Sequence, residues 1–334
     1  MKFDQLIRRE FITLLGGAAA AWPLAAHAQQ PSQMRRIGVL SAFAETDPET
    51  QENVAAFRQR LDKLGWSDGR NVHIDYRWGG ANPDRIRAHA IELVGLRPDV
   101  ILVSSALALQ PLRQETRSIP IVFVQLAEPV GSGFVTSLAH PGGNITGFTA
   151  AEASVYEKSL ELLKEVAPNL TRVGVILNPD QVPQAEMLRA IEAAAPSFRV
   201  ALTAAGARNA AEIEHALDQF ASTPNGGLIV LPNPITIGNR KLIIAMAARN
   251  RLPTAYAFRY FVADGGLISY GVDVIEEYRQ AASYVDRILR GEKPANLPVQ
   301  QPTKFQLVIN LKTGKALGLD VPPSLLGRAD EVIE

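Results

Sequence analysis

The sequence predicts an α/β protein made of two similar halves, each a doubly wound parallel sheet. Three observations carry that reading. Short apolar runs alternate with segments of helical periodicity. The same series then starts again further along the chain. Between the two series lies Pro141–Gly147, rich in Gly, Pro and Asn, which reads as a crossing segment rather than an element.

The elements follow in order. Arg36–Leu40 is a short apolar run ending at Ser41. Glu49–Leu64 carries Val54, Phe57, Leu61 and Leu64 at helical spacing, with Gly65 placed to end it. Val72–Tyr76 is a second strand and Asp84–Leu96 a helix. Asp99–Val103 is a continuous apolar strand, Ala106–Thr116 a helix and Ile119–Val124 another strand. Fully apolar strands separated by helices belong to a parallel sheet covered on both faces. In the second series Arg172–Ile176 repeats Arg36–Leu40. Leu228–Leu231 echoes Val100–Val103, and Leu252–Tyr256 echoes Ile119–Phe123, in the same order.

Composition narrows the class. At roughly 100–200 residues per domain, 334 residues make two domains or one large one. Hydrophobic residues are 47% and charged residues 20%, which excludes a disordered chain. Lys+Arg and Asp+Glu are both 34, and no basic tract stands out, so no nucleic-acid partner is expected. The absence of cysteine removes disulfides, iron–sulfur clusters and thiol catalysis together.

The N-terminus reads as an export signal. Lys2, Arg8 and Arg9 precede an apolar run, Phe11–Ala21, and Ala26-His27-Ala28 forms a small-x-small cleavage pattern. The run is too short to span a membrane, which takes about 20 residues. Arg8-Arg9-Glu10-Phe11 resembles a twin-arginine signal. Residues 1–28 are therefore expected to be removed, leaving a periplasmic product.

Several chemistries lack their motifs. There is no G-x-x-x-x-G-K-[ST] loop, no G-x-G-x-x-G after a strand and no G-x-S-x-G elbow. His27, His73, His89, His140 and His215 show no helical metal-ligand spacing. Glu276-Glu277 reads as a solvated acidic pair on a charged helix face. No catalytic residue, metal or cofactor is expected. Two α/β halves without a nucleophile point to a binder that closes around a small molecule.

In open α/β sheets ligands bind beyond the carboxyl ends of the strands. In the first half those ends carry Ser41 and Phe43, then Ser104 and Ser105, then Gln125 and Glu128. Ser104 and Ser105 open a helix, so their hydroxyls and free backbone N–H groups suit a carboxylate, or serve as a plain N-cap. Glu128 suits an ammonium group, or is a solvated acid before Pro129. In the second half the ends carry Asn178, Asn233, Tyr256 and Tyr270. The two tyrosines can wall a flat ligand, or belong to the core. Trp78 follows a strand away from the switch point and reads as rim or packing.

Taken together, the Arg35-Arg36-Ile37-Gly38-Val39-Leu40 start, Tyr76-Arg77-Trp78, Ile119–Phe123, Glu128-Pro129-Val130, Pro141–Gly147, Gly265–Gly271, Phe305–Thr313 and Ala316–Leu319 resemble the tryptophan/tyrosine-type substrate-binding proteins of ABC transporters. The resemblance runs from residue 35 to about 323. It implies a type I periplasmic binding protein fold, in which two Rossmann-like lobes are joined by a multi-strand hinge. It also implies a small ligand, such as an amino acid or aromatic carboxylate, and delivery to an inner-membrane permease. A monomer is expected. Three departures from the family pattern lie at the expected cleft: Glu128-Pro129 for Asp-Pro, Asn233-Pro234 for an acid-Pro pair, and Ser104-Ser105-Ala106 for Gly-Thr-Pro. They bear on ligand choice rather than fold.

The type I resemblance further implies three crossings, near 144–148, 270–273 and 294–298. The N-terminal lobe is then 29–146 with about 273–295, and the C-terminal lobe 147–272 with about 296–334. Competing readings are fewer. A transcription regulator sharing this fold needs a DNA-binding helix-turn-helix before Arg36, where the signal stands. An enzyme needs a nucleophile or acid–base pair. A periplasmic sensor that presents a solute to a membrane signalling partner fits the same residues.

Overall fold

The computed structural model describes residues 34–150 and 153–334. The export signal expected over 1–28 lies outside them.

The first sheet is β1 (Arg35–Ser41), β2 (Val72–Trp78), β3 (Val100–Ser104), β4 (Ile121–Leu126) and β5 (Ile145–Thr149), in the order β2-β1-β3-β4-β5 and parallel throughout. Helices α1 (Pro48–Lys63), α2 (Pro83–Gly95) and α3 (Ser105–Glu115) connect its strands. Asp47 caps α1 by accepting the Glu49 N–H, and Pro48 occupies the first turn, where no N–H is needed. Gly65 ends the helix at φ 97°, as Trp66 N–H reaches Leu61 O at 2.9 Å.

The second sheet contains β6 (Arg172–Leu177), β7 (Ala201–Gly206), β8 (Gly226–Val230), β9 (Thr254–Tyr256), β10 (Ile268–Gly271), β11 (Gln306–Asn310) and β12 (Glu331–Ile333). Read from β7, its order is β7-β6-β8-β9-β10-β11-β12. The first five strands repeat the order of the first sheet, and β6, β8 and β9 carry the sequence echoes of β1, β3 and β4. β10 and β11 are antiparallel. The helices are α4 (Ala153–Val166), α5 (Val182–Ala194), α6 (Ala210–Ala221), α7 (Pro234–Gly238), α8 (Arg240–Arg249), α9 (Arg259–Ala263), α10 (Val274–Leu289), α11 (Leu311–Ala316) and α12 (Pro323–Leu326).

Each sheet is buried on both faces, as its continuous apolar strands require. In the first, Val54, Phe57 and Leu61 of α1 and Tyr278, Ala281 and Val285 of α10 cover Val39, Leu102 and Val124. Ile86 and Leu93 of α2 and Leu109 and Leu112 of α3 cover the opposite face. In the second, α4 and α5 cover one face, and α6 and α8 the other. The helices after β5 and β10 are exchanged: α4 packs on the second sheet and α10 on the first. The chain therefore passes between lobes after β5, after β10 and again before β11. The first and third passages are hydrogen-bonded, Gln300 N–H to Gly147 O and Thr149 N–H to Gln300 O, both 2.9 Å. The Gly- and Pro-rich connection thus ends in a strand, and the first sheet runs to Thr149.

Candidate ligand-binding site

The carboxyl ends of both sheets meet between the lobes. At the end of β1, Ser41 stands in register with Ser104 at the end of β3, and their hydroxyls are 3.4 Å apart. Ser104 Oγ accepts the Ala42 N–H at 3.2 Å, and Ser41 Oγ accepts the Phe43 N–H at 3.2 Å. Ser41, Phe43, Ser104 and Ser105 are all buried. Ser105 takes φ 74°, and its hydroxyl accepts the Leu107 N–H at 3.3 Å. Ser104 gives α3 no side-chain cap. The two hydroxyls are thus engaged in holding the strand ends, and α3 starts beside them without a side-chain cap.

The end of β4 is held in an unusual conformation. Gln125 and Glu128 have φ 52° and 49°, which costs energy in residues other than glycine. Gln125 N–H donates to Glu277 Oε1 at 3.0 Å, and the Tyr278 hydroxyl donates to Gln125 Oε1 at 3.4 Å. Glu277 is buried, against the expectation of a solvated acid. It lies on the inward stripe of α10 with Tyr278, Ala281 and Val285, and α10 packs on the first sheet. Burial pushes its carboxyl up to about 8, partly countered by the Gln125 N–H, and Oε2 has no partner.

Glu128 is half-buried. Burial pushes the Tyr156 phenol on α4 up, and the nearby Glu128 charge adds to the effect. On the second lobe, Asn178 N–H donates to Gln184 Oε1, and Asn178 Oδ1 accepts the Asp180 N–H at 3.1 Å. Asn233 caps α7 in a reciprocal box with Thr236. Its Oδ1 accepts from Ile235 and Thr236, and its Nδ2 donates to Gln184 Oε1 and Leu231 O. The amide has no donor or acceptor left over in this arrangement. Tyr256 is fully buried with its ring 4.8 Å from Phe261, inside the second lobe. Tyr270 is half-buried against Phe305 at the hinge end of β10. Trp78 stacks on Tyr76 on β2, away from the strand-end group.

The structure also brings in residues that the sequence did not single out. Arg240, at the start of α8, donates to Asp47 Oδ2 at 2.7 Å across the cleft and to Asp264 Oδ2 at 2.8 Å within its own lobe. Beside this bridge lies a cavity of about 450 Å³ whose walls include Phe43, Asp47, Pro234, Arg240 and Leu242. The lobes also abut where Glu186 of α5 fills the space beside Gly131. Among the described residues, no cluster of His, Asp or Glu is arranged to hold a metal.

Two α/β lobes with buried polar strand ends facing across a cleft define a solute-binding protein. The chain belongs to the ABC transporter substrate-binding protein family, which it matches over residues 37–333. A tyrosine-binding protein of Clostridioides difficile (strain R20291) is 26% identical over 293 residues, covering 86% of this chain and 82% of that protein. The crystal structure of a conserved domain protein from Vibrio cholerae O1 biovar El Tor (strain N16961) superposes with TM-score 0.84 at 29% identity, covering 90% of this chain and 99% of that one. A Streptococcus pneumoniae ABC domain in complex with L-Trp superposes with TM-score 0.83 at 23% identity, with the same coverage. Members of this family are solute-binding proteins, not enzymes. No helix among the described residues is long and apolar enough to cross a membrane.

Proposed function

We propose that this protein captures an aromatic amino acid or aromatic carboxylate in the periplasm and delivers it to an ABC importer. The observation that carries this reading is the burial of polar strand ends from both lobes in one cleft. The tyrosine-binding relative and the L-Trp complex support the ligand class. The ligand carboxylate goes to the first turn of α3, whose N–H groups have no cap from Ser104. The ammonium group goes to Glu128, and the ring lies against Phe43. The two lobes close about the passages after β5, after β10 and before β11.

Calorimetry and thermal shift with L-tyrosine, L-tryptophan and aromatic carboxylates test this. A true ligand at a hundredfold excess over Kd adds about 2.7 kcal/mol of stability. Glu128→Gln should weaken amino-acid binding at least tenfold, the cost of about one charge-assisted hydrogen bond, and leave carboxylates without an ammonium group unaffected. If no member of the panel stabilises the protein, the ligand class is wrong.

A further inference from the structure

Two open sheets have four edges, and three of them are closed. On β5, Gln300 covers the edge: it donates to Gly147 O and accepts the Thr149 N–H, both at 2.9 Å. On β2, the preceding turn does so. Gly69 N–H donates to Val72 O at 2.8 Å, and Asp68 Oδ1 accepts the Ile74 N–H at 3.1 Å. The Arg77 guanidinium takes Tyr76 O at 2.9 Å. β12 is three residues long, and Glu331 at its start is held by Arg259 at 2.6 Å. β7 differs. The Ala201 and Ala207 N–H groups donate to Thr171 O and Leu177 O along β6, at 2.9 and 2.8 Å. Strand residues alternate, so Leu202, Ala204 and Gly206 turn N–H and C=O away from β6. Among the described residues nothing bonds to them there. The strand carries no charge, proline or bulge, the usual means of blocking a free edge. Its flanks are of opposite sign. Arg199 before it is exposed and has no carboxylate partner. After it, Arg208 is shared by Asp180 at 2.9 Å and Glu212 at 3.4 Å, an excess of one acid.

We propose that β7 is the docking edge for a second copy of this chain, paired antiparallel about a two-fold axis at Ala204. The outward groups of Leu202, Ala204 and Gly206 in one copy then meet those of Gly206, Ala204 and Leu202 in the other. The same axis sets Arg199 opposite Asn209, so each free guanidinium lies beside the acidic excess of the other copy. Self-complementary backbone and self-complementary charge select a second copy over an unrelated strand. The two second-lobe sheets become one, and each first lobe stays free to move. The dimer replaces the monomer expected from the sequence and does not depend on which solute is bound.

Sedimentation equilibrium of the mature chain over rising concentration tests this, and the mass should double. Ala204→Pro removes an outward N–H and spares the β6 ladder. It should weaken association about thirtyfold, since two hydrogen bonds are lost at the axis. Ala204→Lys and Ala204→Glu each set like charges face to face and should each weaken association about fivefold. An equimolar mixture of the two should recover it. The charged variants should keep the wild-type thermal midpoint at low concentration, and they carry the test alone if Ala204→Pro does not fold. A wild type that stays monomeric at millimolar concentration would overturn the proposal. Wild-type association in both charged variants would place the contact on another surface and overturn it too. A mixture no tighter than its components would rule out the Ala204 axis.

Discussion

Glu277 shows how one buried group fixes the site. Its carboxyl accepts the Gln125 N–H, and so holds that residue in a left-handed conformation at the end of β4. The carboxyl is deep enough that its pKa rises from 4.5 to about 8. In the unfolded chain it ionises near 4.5, whereas in the folded protein it keeps its proton to about 8. Between these values unfolding releases a proton, so stability falls as pH rises and levels off above about 8. Glu277→Gln keeps the hydrogen-bond acceptor and removes this slope. In urea unfolding, the variant should gain on the wild type by an amount on the order of a few kcal/mol between about pH 5 and about pH 9. Parallel stability–pH curves for the two proteins would show that the carboxyl is not buried as a neutral acid. In the sequence, Glu277 looks like half of a solvated pair. The better signal was its place in the apolar stripe with Ala281 and Val285, but nothing local told which sheet α10 would cover.

The crossing strands explain which elements were legible. β1, β3, β4, β6, β8 and β9 stand out because they are buried on both faces and read as continuous apolar runs. β7 is an edge strand, Ala201–Gly206, mostly exposed, and lacks such a run. β5 is disguised by its own glycine. A Cβ on Gly147 would lie 2.2 Å from Phe123 O in β4, so the sheet closes only because no side chain is there. Gly271, at the end of β10, is crowded in the same way: a Cβ there would meet Ala257 O at 1.8 Å. The same residue type that reads as a turn signal is required here for close backbone approach. Gly147→Ala and Gly271→Ala should each destabilise the fold by roughly 3 kcal/mol or more, through overpacking against backbone that cannot yield. Gly65→Ala, with open space but a left-handed backbone, should cost only about 1 kcal/mol. Equal costs at all three positions in denaturant unfolding would contradict the crowding of the crossing strands.

At the scale of the molecule, the strand-end positions followed from topology alone, but the contacts that close the cleft did not. Gln125 and Glu277, 152 residues apart, meet within the first lobe only because α10 returns to the first sheet. Asp47 and Arg240, 193 residues apart, meet only once both lobes exist and face each other. The Arg240 bridge is the clearest of them. Arg240 and Asp47 side chains are each 9% exposed, and the guanidinium also lies 5.5 Å over the Tyr260 ring. In the proposed closing motion, parted lobes leave Arg240 with Asp264 and Tyr260 of its own lobe and without Asp47. On that proposal the bridge to Asp47 belongs to the closed state alone and shifts the open–closed balance by its strength there. A buried pair of this kind gains attraction but also costs desolvation, so its net effect is best read from a change that spares the fold. Asp47→Asn is that change, because Asn caps a helix as well as Asp does. The ligand-free variant should scatter as a more open particle than the wild type. A bound solute should leave about tenfold faster, with little change in association rate, since the loss falls on the closed complex. Identical scattering profiles together with an unchanged dissociation rate would show that closure depends on the ligand and the hinge, and that the Arg240 bridge only follows.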